Sequence, residues 1–228
     1  MDAISCTVTN APWPSRLASR WCATSITKRV LLHPTSFRVP YGTVTALVGS
    51  RGAGRSTLLK MIAAESRPTT GNIKFSCDTT DGSLVLVRER EPMLESLTPY
   101  ESVYFASRCS SSGDSERNTV EKLTHEILEA LDLVQVAHSP ISELSATDRL
   151  CTTLGVALAS SPRVLLLDGI TSQFDRLDSV SVLLLLRSLA SKGCTVILSI
   201  NHPSMYPLAF LDNVVMLAQG RQPQPPHS

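Results

Sequence analysis

Residues 49–57 read Gly49-Ser50-Arg51-Gly52-Ala53-Gly54-Arg55-Ser56-Thr57, and they lie between a β-rich run, Val44–Gly49, and an apolar helical pattern that begins at Leu58. A strand, a glycine-rich turn and a helix in this order are the context of a P-loop, whose pattern is GxxxxGK[ST]. Glycines let successive backbone N–H groups turn inward around phosphate oxygens, and the helix N-terminus adds the positive end of its dipole. The segment therefore predicts a phosphate-binding loop, with the Ser56 hydroxyl offered to Mg²⁺ and Thr57 beside the α-phosphate.

One position departs from the P-loop pattern, because Arg55 stands where the lysine belongs. Arginine keeps the positive charge and can hold phosphate oxygens through two hydrogen bonds, so we expect phosphate binding to survive. Its planar guanidinium is wider than an ammonium group and cannot reproduce the point contact of lysine inside a tight loop. Since positioning is most of the catalysis in phosphoryl transfer, we expect Arg55 to lower the rate more than the affinity.

The rest of the sequence alternates short apolar runs with helical patterns. Val120, Leu123, Ile127, Leu128 and Leu131 recur at helical spacing and predict an amphipathic helix. The apolar runs predict strands of a largely parallel sheet that is buried on both faces by helices. These predicted strands are Val44–Gly49, Leu84–Val87, Val164–Leu167, Thr195–Ile200 and Val214–Leu217. Asp78–Gly82 is predicted to be a turn, and Ser110–Ser115 a loop.

Bulk properties restrict the class of protein. A chain of 228 residues suits one domain, or one domain with an inserted subdomain. The net charge of +1 argues against a nucleic-acid binder, which usually carries a strong basic excess. No run reaches the roughly 18 apolar residues that a membrane span needs, and the N-terminus lacks the apolar region of a secretion signal. The six scattered cysteines are predicted to be buried thiols in a reducing compartment.

Further motifs follow the P-loop in a fixed order. Val164–Asp168 resembles a Walker B strand, and Ile200-Asn201-His202-Pro203-Ser204 resembles the IHQPS of one transporter subfamily. Ser172 and Asp175 match the ends of a D-loop, SGLD. Leu144-Ser145-Ala146-Thr147-Asp148 resembles the sequence at the start of a signature helix, LSGGQ or SGGER. Across residues 28–221 the chain therefore resembles the nucleotide-binding domain of an ABC transporter, most like the G (white) subfamily.

The resemblance implies a fold and a set of ligands. The fold is α/β, an ABC-type P-loop NTPase with a mainly parallel sheet flanked by helices, an N-terminal antiparallel β part and a helical subdomain at about 95–160. Residues 1–27 would then be a lead-in with a first strand, and residues 222–228 a Pro-rich, unstructured tail. The implied cofactors are ATP and Mg²⁺, and the implied metal ligands are Ser56, Asp168 and Glu89, which aligns with the Q-loop glutamine.

The resemblance also implies partners. They are a second nucleotide-binding domain in a head-to-tail dimer, and transmembrane domains that are on another chain or missing from this one. The chain would lie peripherally at the cytosolic face of a membrane, with the segment around Leu97–Phe105 against those domains.

Several positions that carry the chemistry in this family are changed here. Gly169 follows Asp168 where a glutamate should activate the attacking water, and glycine has no acceptor to offer. Asn201 aligns with the switch histidine and cannot titrate. Ala146 and Thr147 replace the signature glycines, whose lack of side chains lets a phosphate approach the helix N-terminus closely. No catalytic residue of the family is intact, so we expect ATP binding with impaired hydrolysis.

Two alternatives remain open at the level of the sequence. The first is an active ATPase that drives export and whose loops compensate for these changes. The second is a scaffold from a decaying gene that binds no nucleotide. A measurement of ATP affinity in the presence of Mg²⁺ separates the scaffold from the other two.

Overall fold

The computed structural model describes residues 2–9, 31–75, 83–89, 91–111, 117–169, 176–201 and 210–222. Its strands are β1 Asp2–Thr9, β2 Thr35–Pro40, β3 Val44–Val48, β4 Thr70–Phe75, β5 Leu84–Arg88, β6 Val164–Asp168, β7 Thr195–Ile200 and β8 Asn213–Met216. Its α-helices are α1 Arg55–Ile62, α2 Pro99–Ser110, α3 Arg117–Ala130, α4 Ala146–Leu158 and α5 Arg176–Ser191. The predicted turn at 78–82, most of the predicted loop at 110–115, Ser172, Asp175, the residues after Asn201 in the IHQPS-like motif and all of the predicted tail but its first residue lie outside the described residues.

The central sheet has five strands in the order β5-β6-β7-β3-β8, and all of its pairings are parallel. The five predicted strands are these five, with ends that differ by at most one residue. Every residue of β3 and β7 is buried, as a parallel sheet covered on both faces requires. Alternate residues face opposite sides: Val44, Ala46 and Val48 belong to the core under α2–α5, and Leu47 to the core under α1. The predicted fold class is confirmed.

A second sheet is antiparallel and has the order β2-β1-β4. Ile4 of β1 pairs with Val39 on one side and Phe75 on the other. Ile4, Phe37 and Val39 bury their side chains in the same core as the apolar face of α1. This sheet is the predicted N-terminal antiparallel part. It lies on the same side of the central sheet as α1 and shares a core with that helix.

Helices α2, α3 and α4 follow β5 and precede β6 in the sequence, and they pack on one another. Helix α2 begins with a capping box: the Thr98 hydroxyl accepts from the Glu101 N–H, and the Glu101 carboxylate accepts from the Thr98 N–H. The close approach of α4 to α2 depends on Gly155, where a Cβ atom would lie 2.9 Å from a methyl carbon of Val103. These helices fall within the predicted subdomain at about 95–160, whose boundaries stay a prediction.

The prediction of buried cysteines is wrong for Cys109, which is exposed, whereas Cys151 is buried and Cys194 is half-buried. The buried residues of α2 are Pro99, Val103 and Ser107, at intervals of four, so position 109 faces away from the core. No helix among the described residues is long and apolar enough to cross a membrane.

Candidate nucleotide-binding site

The P-loop joins the C-terminal end of β3 to the first turn of α1. The Gly49 N–H donates to the carbonyl oxygen of Ile200 at 3.3 Å, which ties the start of the loop to the end of β7. Gly54 caps α1 with φ +95°, and a Cβ atom there would lie 2.8 Å from Cδ2 of Leu32. Only glycine fits that backbone and that contact. A cavity of about 200 Å³ adjoins the loop and is lined by Leu31 and residues 52–57.

Arg55 is the first residue of α1, and its side chain is buried, with 8% exposed. Its Nη2 donates to Oδ1 of Asn201, while Nε and Nη1 are buried without a hydrogen-bond partner. Burial lowers the pKa of the guanidinium, and the negative charge of Asp168 acts in the opposite direction. A buried cation with unused donors is costly unless an anion is bound to it. Arg55 therefore fits a phosphate group in the P-loop.

Ser56 and Asp168 come together from α1 and β6. The Ser56 hydroxyl donates to Oδ1 of Asp168 at 2.9 Å. The hydroxyl of Ser199 on β7 donates to the same oxygen at 3.0 Å and accepts from the Gly169 N–H at 2.8 Å. Hydroxyl and carboxylate oxygens at this spacing suit Mg²⁺, which prefers oxygen ligands. The sequence reasoning missed Ser199, although a hydroxyl near the end of an otherwise apolar strand was a usable signal.

Gly169 and Glu89 lie side by side because β5 and β6 are parallel and pair Arg88 with Asp168. The Glu89 N–H donates to the carbonyl oxygen of Asp168 at 2.9 Å. Gly169 has φ +74°, and a Cβ atom there would lie 3.1 Å from Oε2 of Glu89. The carboxylate of Glu89 thus covers the space that a side chain at position 169 would need. Position 169 itself supplies no general base.

The predicted signature residues begin α4. Ser145 caps this helix: its hydroxyl accepts from the Asp148 N–H at 3.1 Å and donates to Oδ2 of Asp148 at 2.7 Å. Ala146 is exposed and Thr147 half-buried at this helix N-terminus. Thr147 and Asp148 line a cavity of about 270 Å³, none of whose described lining residues belongs to the P-loop cavity. Within this chain, the structure brings together the P-loop, Asp168, Glu89 and Asn201, and leaves the signature apart from them.

An apolar groove of about 550 Å³ lies between β5, α2, α4 and the segment that follows Glu89. Leu94 and Phe105 stand at this groove with 69% and 53% of their surfaces exposed. Its walls also include Val85, Leu97, Val156 and Ala157. The predicted docking segment Leu97–Phe105 forms one side of this groove.

Comparison with known sequences identifies a family to which the chain is similar. The family model for ABC transporters matches residues 32–172. The ABC-type transporter claG of Penicillium crustosum is 30% identical over 191 residues, which are 79% of this chain and 26% of that protein. ABC transporter G family member 4 of Arabidopsis thaliana is 33% identical over 182 residues, 78% of this chain and 32% of that protein. The chain spans about a quarter to a third of the length of these relatives.

Comparison with solved structures gives the same fold. A dimeric bacterial ABC transporter cassette superimposes with a TM-score of 0.77 at 19% identity, covering 97% of this chain and 97% of that one. An ATP-binding cassette in its ADP conformation gives a TM-score of 0.78 at 19% identity, covering 96% of this chain and 89% of that one.

Proposed function

The chain belongs to the ABC transporter family, as an ATP-binding domain with relatives in the G family, and from this premise we propose that it binds MgATP at its P-loop and hydrolyses it slowly or not at all. The P-loop backbone and Arg55 would hold the phosphates. Ser56 and Asp168 would hold Mg²⁺, which neutralises phosphate charge when bound. Glu89 is a further candidate ligand for the metal.

The observation that carries the impaired hydrolysis is Gly169. It follows Asp168 directly, has no acceptor group, and adopts a left-handed backbone in which an L-residue would be strained. General-base assistance in phosphoryl transfer needs an acceptor near the attacking water. Asn201 is engaged by Arg55 and cannot carry charge, so it does not replace the base.

We further propose that the chain forms a head-to-tail dimer with a second nucleotide-binding domain. In ABC dimers, each ATP lies between the Walker motifs of one chain and the signature of the other. Arg55, Gly169 and Asn201 affect the site that this chain would own, whereas Ala146 and Thr147 affect the site that it would complete for its partner. A homodimer would then hold two altered sites, and a dimer with a normal subunit would still have no unaltered one.

Attachment to a membrane would depend on an apolar surface of the domain. We place the transmembrane partner in the apolar groove, because its exposed Leu94 and Phe105 would be covered by an apolar segment from another chain or from a longer form of this one. This contact would hold the domain at the cytosolic face. Polar substitution of Phe105 should weaken recovery of the chain with a coexpressed transmembrane domain, and leave nucleotide affinity unchanged.

The test of nucleotide binding and turnover uses the purified chain with ATP and Mg²⁺. We expect saturable binding by calorimetry, and phosphate release well below the roughly one turnover per second that is typical of enzymes. Normal turnover would favour the active ATPase, and absence of binding would favour the scaffold. Because groups that act as one catalytic unit are strongly non-additive, no single repair should restore turnover. The series is Gly169→Glu, Arg55→Lys, Asn201→His and the pair Ala146→Gly/Thr147→Gly, each alone and all combined.

A further inference from the structure

We propose that the P-loop of this protein binds a nucleoside diphosphate more tightly than the corresponding triphosphate. The inference rests on the proposed function, since it names the ligand class of the same nucleotide site. Its basis is the bridge between Arg55 and Asn201, which closes one end of the phosphate site.

The two ends of the P-loop differ in the space they offer. At one end, the cavity of about 200 Å³ lies between Leu31 and the loop, and its lining among the described residues stops at residues 52–57. At the other end, the buried guanidinium of Arg55 reaches the C-terminal edge of the sheet and donates to Asn201. Neither Asp168 nor Asn201 lines the cavity. A phosphate chain that enters beside Leu31 therefore ends against Arg55.

The general chemistry of P-loops indicates which phosphate group the bridge between Arg55 and Asn201 affects. Backbone N–H groups of such a loop surround the α- and β-phosphates, and the side chain at the lysine position reaches the β- and γ-phosphates. Lysine leaves room for a third phosphate because its ammonium group is compact. Here the wider guanidinium is hydrogen-bonded to Asn201. Its unpartnered Nε and Nη1 provide donors for a terminal β-phosphate, but a γ-phosphate must displace the group itself.

The negative charge near the site disfavours a third phosphate, as the limited space does. The sheet edge beyond Arg55 carries Asp168 on β6 and Glu89 after β5, and both are carboxylates. A third phosphate would bring another negative charge toward this pair, and a bound Mg²⁺ would offset only part of the repulsion. Releasing the charge-assisted hydrogen bond to Asn201 alone should weaken triphosphate binding by about tenfold or more relative to diphosphate.

The experiment is a calorimetric comparison of ADP with the non-hydrolysable β,γ-methylene analogue of ATP, both with Mg²⁺. Asn201→Ala frees the guanidinium, and Arg55→Lys removes its width. Arg67→Lys makes the same exchange at an exposed position away from the P-loop and is the matched control. A thermal melt of each variant checks that it is folded.

We expect the wild type to bind ADP at least about tenfold more tightly, and each of the two site variants to bring the two affinities together, while Arg67→Lys keeps the difference. Equal or tighter binding of the triphosphate analogue by the wild type would overturn the inference and leave the proposed function intact. A diphosphate preference that neither site variant reduces would also overturn it, because the bridge would not be its cause. If the wild type binds neither nucleotide, the proposed function itself fails.

Discussion

Substitution of Gly169 tests how the altered site is built. Gly169→Ala places a Cβ atom on a backbone with φ +74°, a conformation that costs an L-residue roughly 1–2 kcal/mol. The new Cβ would also lie 3.1 Å from Oε2 of Glu89, but that side chain is exposed and can move aside. We therefore expect a loss of about 1–2 kcal/mol in the free energy of unfolding, or a fall in Tm of about 2–8 °C for a domain of this size.

Gly169→Glu adds a second effect to the backbone strain. Its carboxylate would emerge beside that of Glu89, and two like charges at short distance repel each other. We expect this variant to be less stable than Gly169→Ala, and part of the difference to be regained in the double variant with Glu89→Gln. Since Arg55 and Asn201 remain unchanged, neither variant should hydrolyse ATP at the rate of a normal family member.

The assays are urea unfolding followed by circular dichroism, and phosphate release with ATP and Mg²⁺. Gly52→Ala is the matched control, because Gly52 has φ +80° and no atom lies within 4 Å of the position that a Cβ would take there, so it reports backbone strain without crowding. A Gly169→Ala variant as stable as the wild type would refute the claim of strain. Turnover of about one per second or more by Gly169→Glu alone would refute the claim that the defect is distributed over several positions.

Three further predictions concern the helices and the cysteines. Gly155→Ala should lower the free energy of unfolding by about 1–3 kcal/mol, because its Cβ would overlap a methyl group of α2, and an unchanged urea midpoint would contradict that packing. Thr98→Ala should cost about 1 kcal/mol in the same titration through loss of the capping box with Glu101, and no loss would show that the cap contributes nothing. Burial raises the pKa of the Cys194 thiol to about 11, so the thiol stays protonated at about pH 8. Iodoacetamide should then modify exposed Cys109 and spare Cys194 in the folded protein, and peptide mass spectrometry showing equal labelling would be evidence against this.

Burial of the Cys194 thiol also makes the free energy of unfolding depend on pH. A thiol whose pKa is higher in the folded state binds its proton more tightly there than in the unfolded chain. Its contribution is present at neutral pH and is lost as the pH rises from the unfolded pKa, near 8.5, toward about 11. The free energy of unfolding of the wild type should therefore fall relative to that of Cys194→Ala as the pH rises over this window, and a difference that stays constant would contradict the raised pKa.

Local patterns were enough to predict a mainly parallel sheet flanked by helices and a phosphate-binding loop. The left-handed backbone of Gly54, with φ +95°, is a local reason for glycine at the start of α1, and the apolar run Thr195–Ile200 is typical of a strand buried on both faces. Such features can be predicted without knowledge of distant residues, because hydrophobic periodicity and turn residues are properties of short consecutive segments.

Only the tertiary structure showed which side chains meet at the site. Arg55 reaches Asn201 across 146 positions of the chain, Ser199 joins Asp168 to Gly169, and Glu89 covers the glycine beside it. These contacts follow from the strand order β5-β6-β7-β3-β8 and from the rotamers that packing selects. A motif states which residue stands at a position. Which of these residues become neighbours at the C-terminal edge of the sheet depends on the order of the strands, and the motifs do not contain that order.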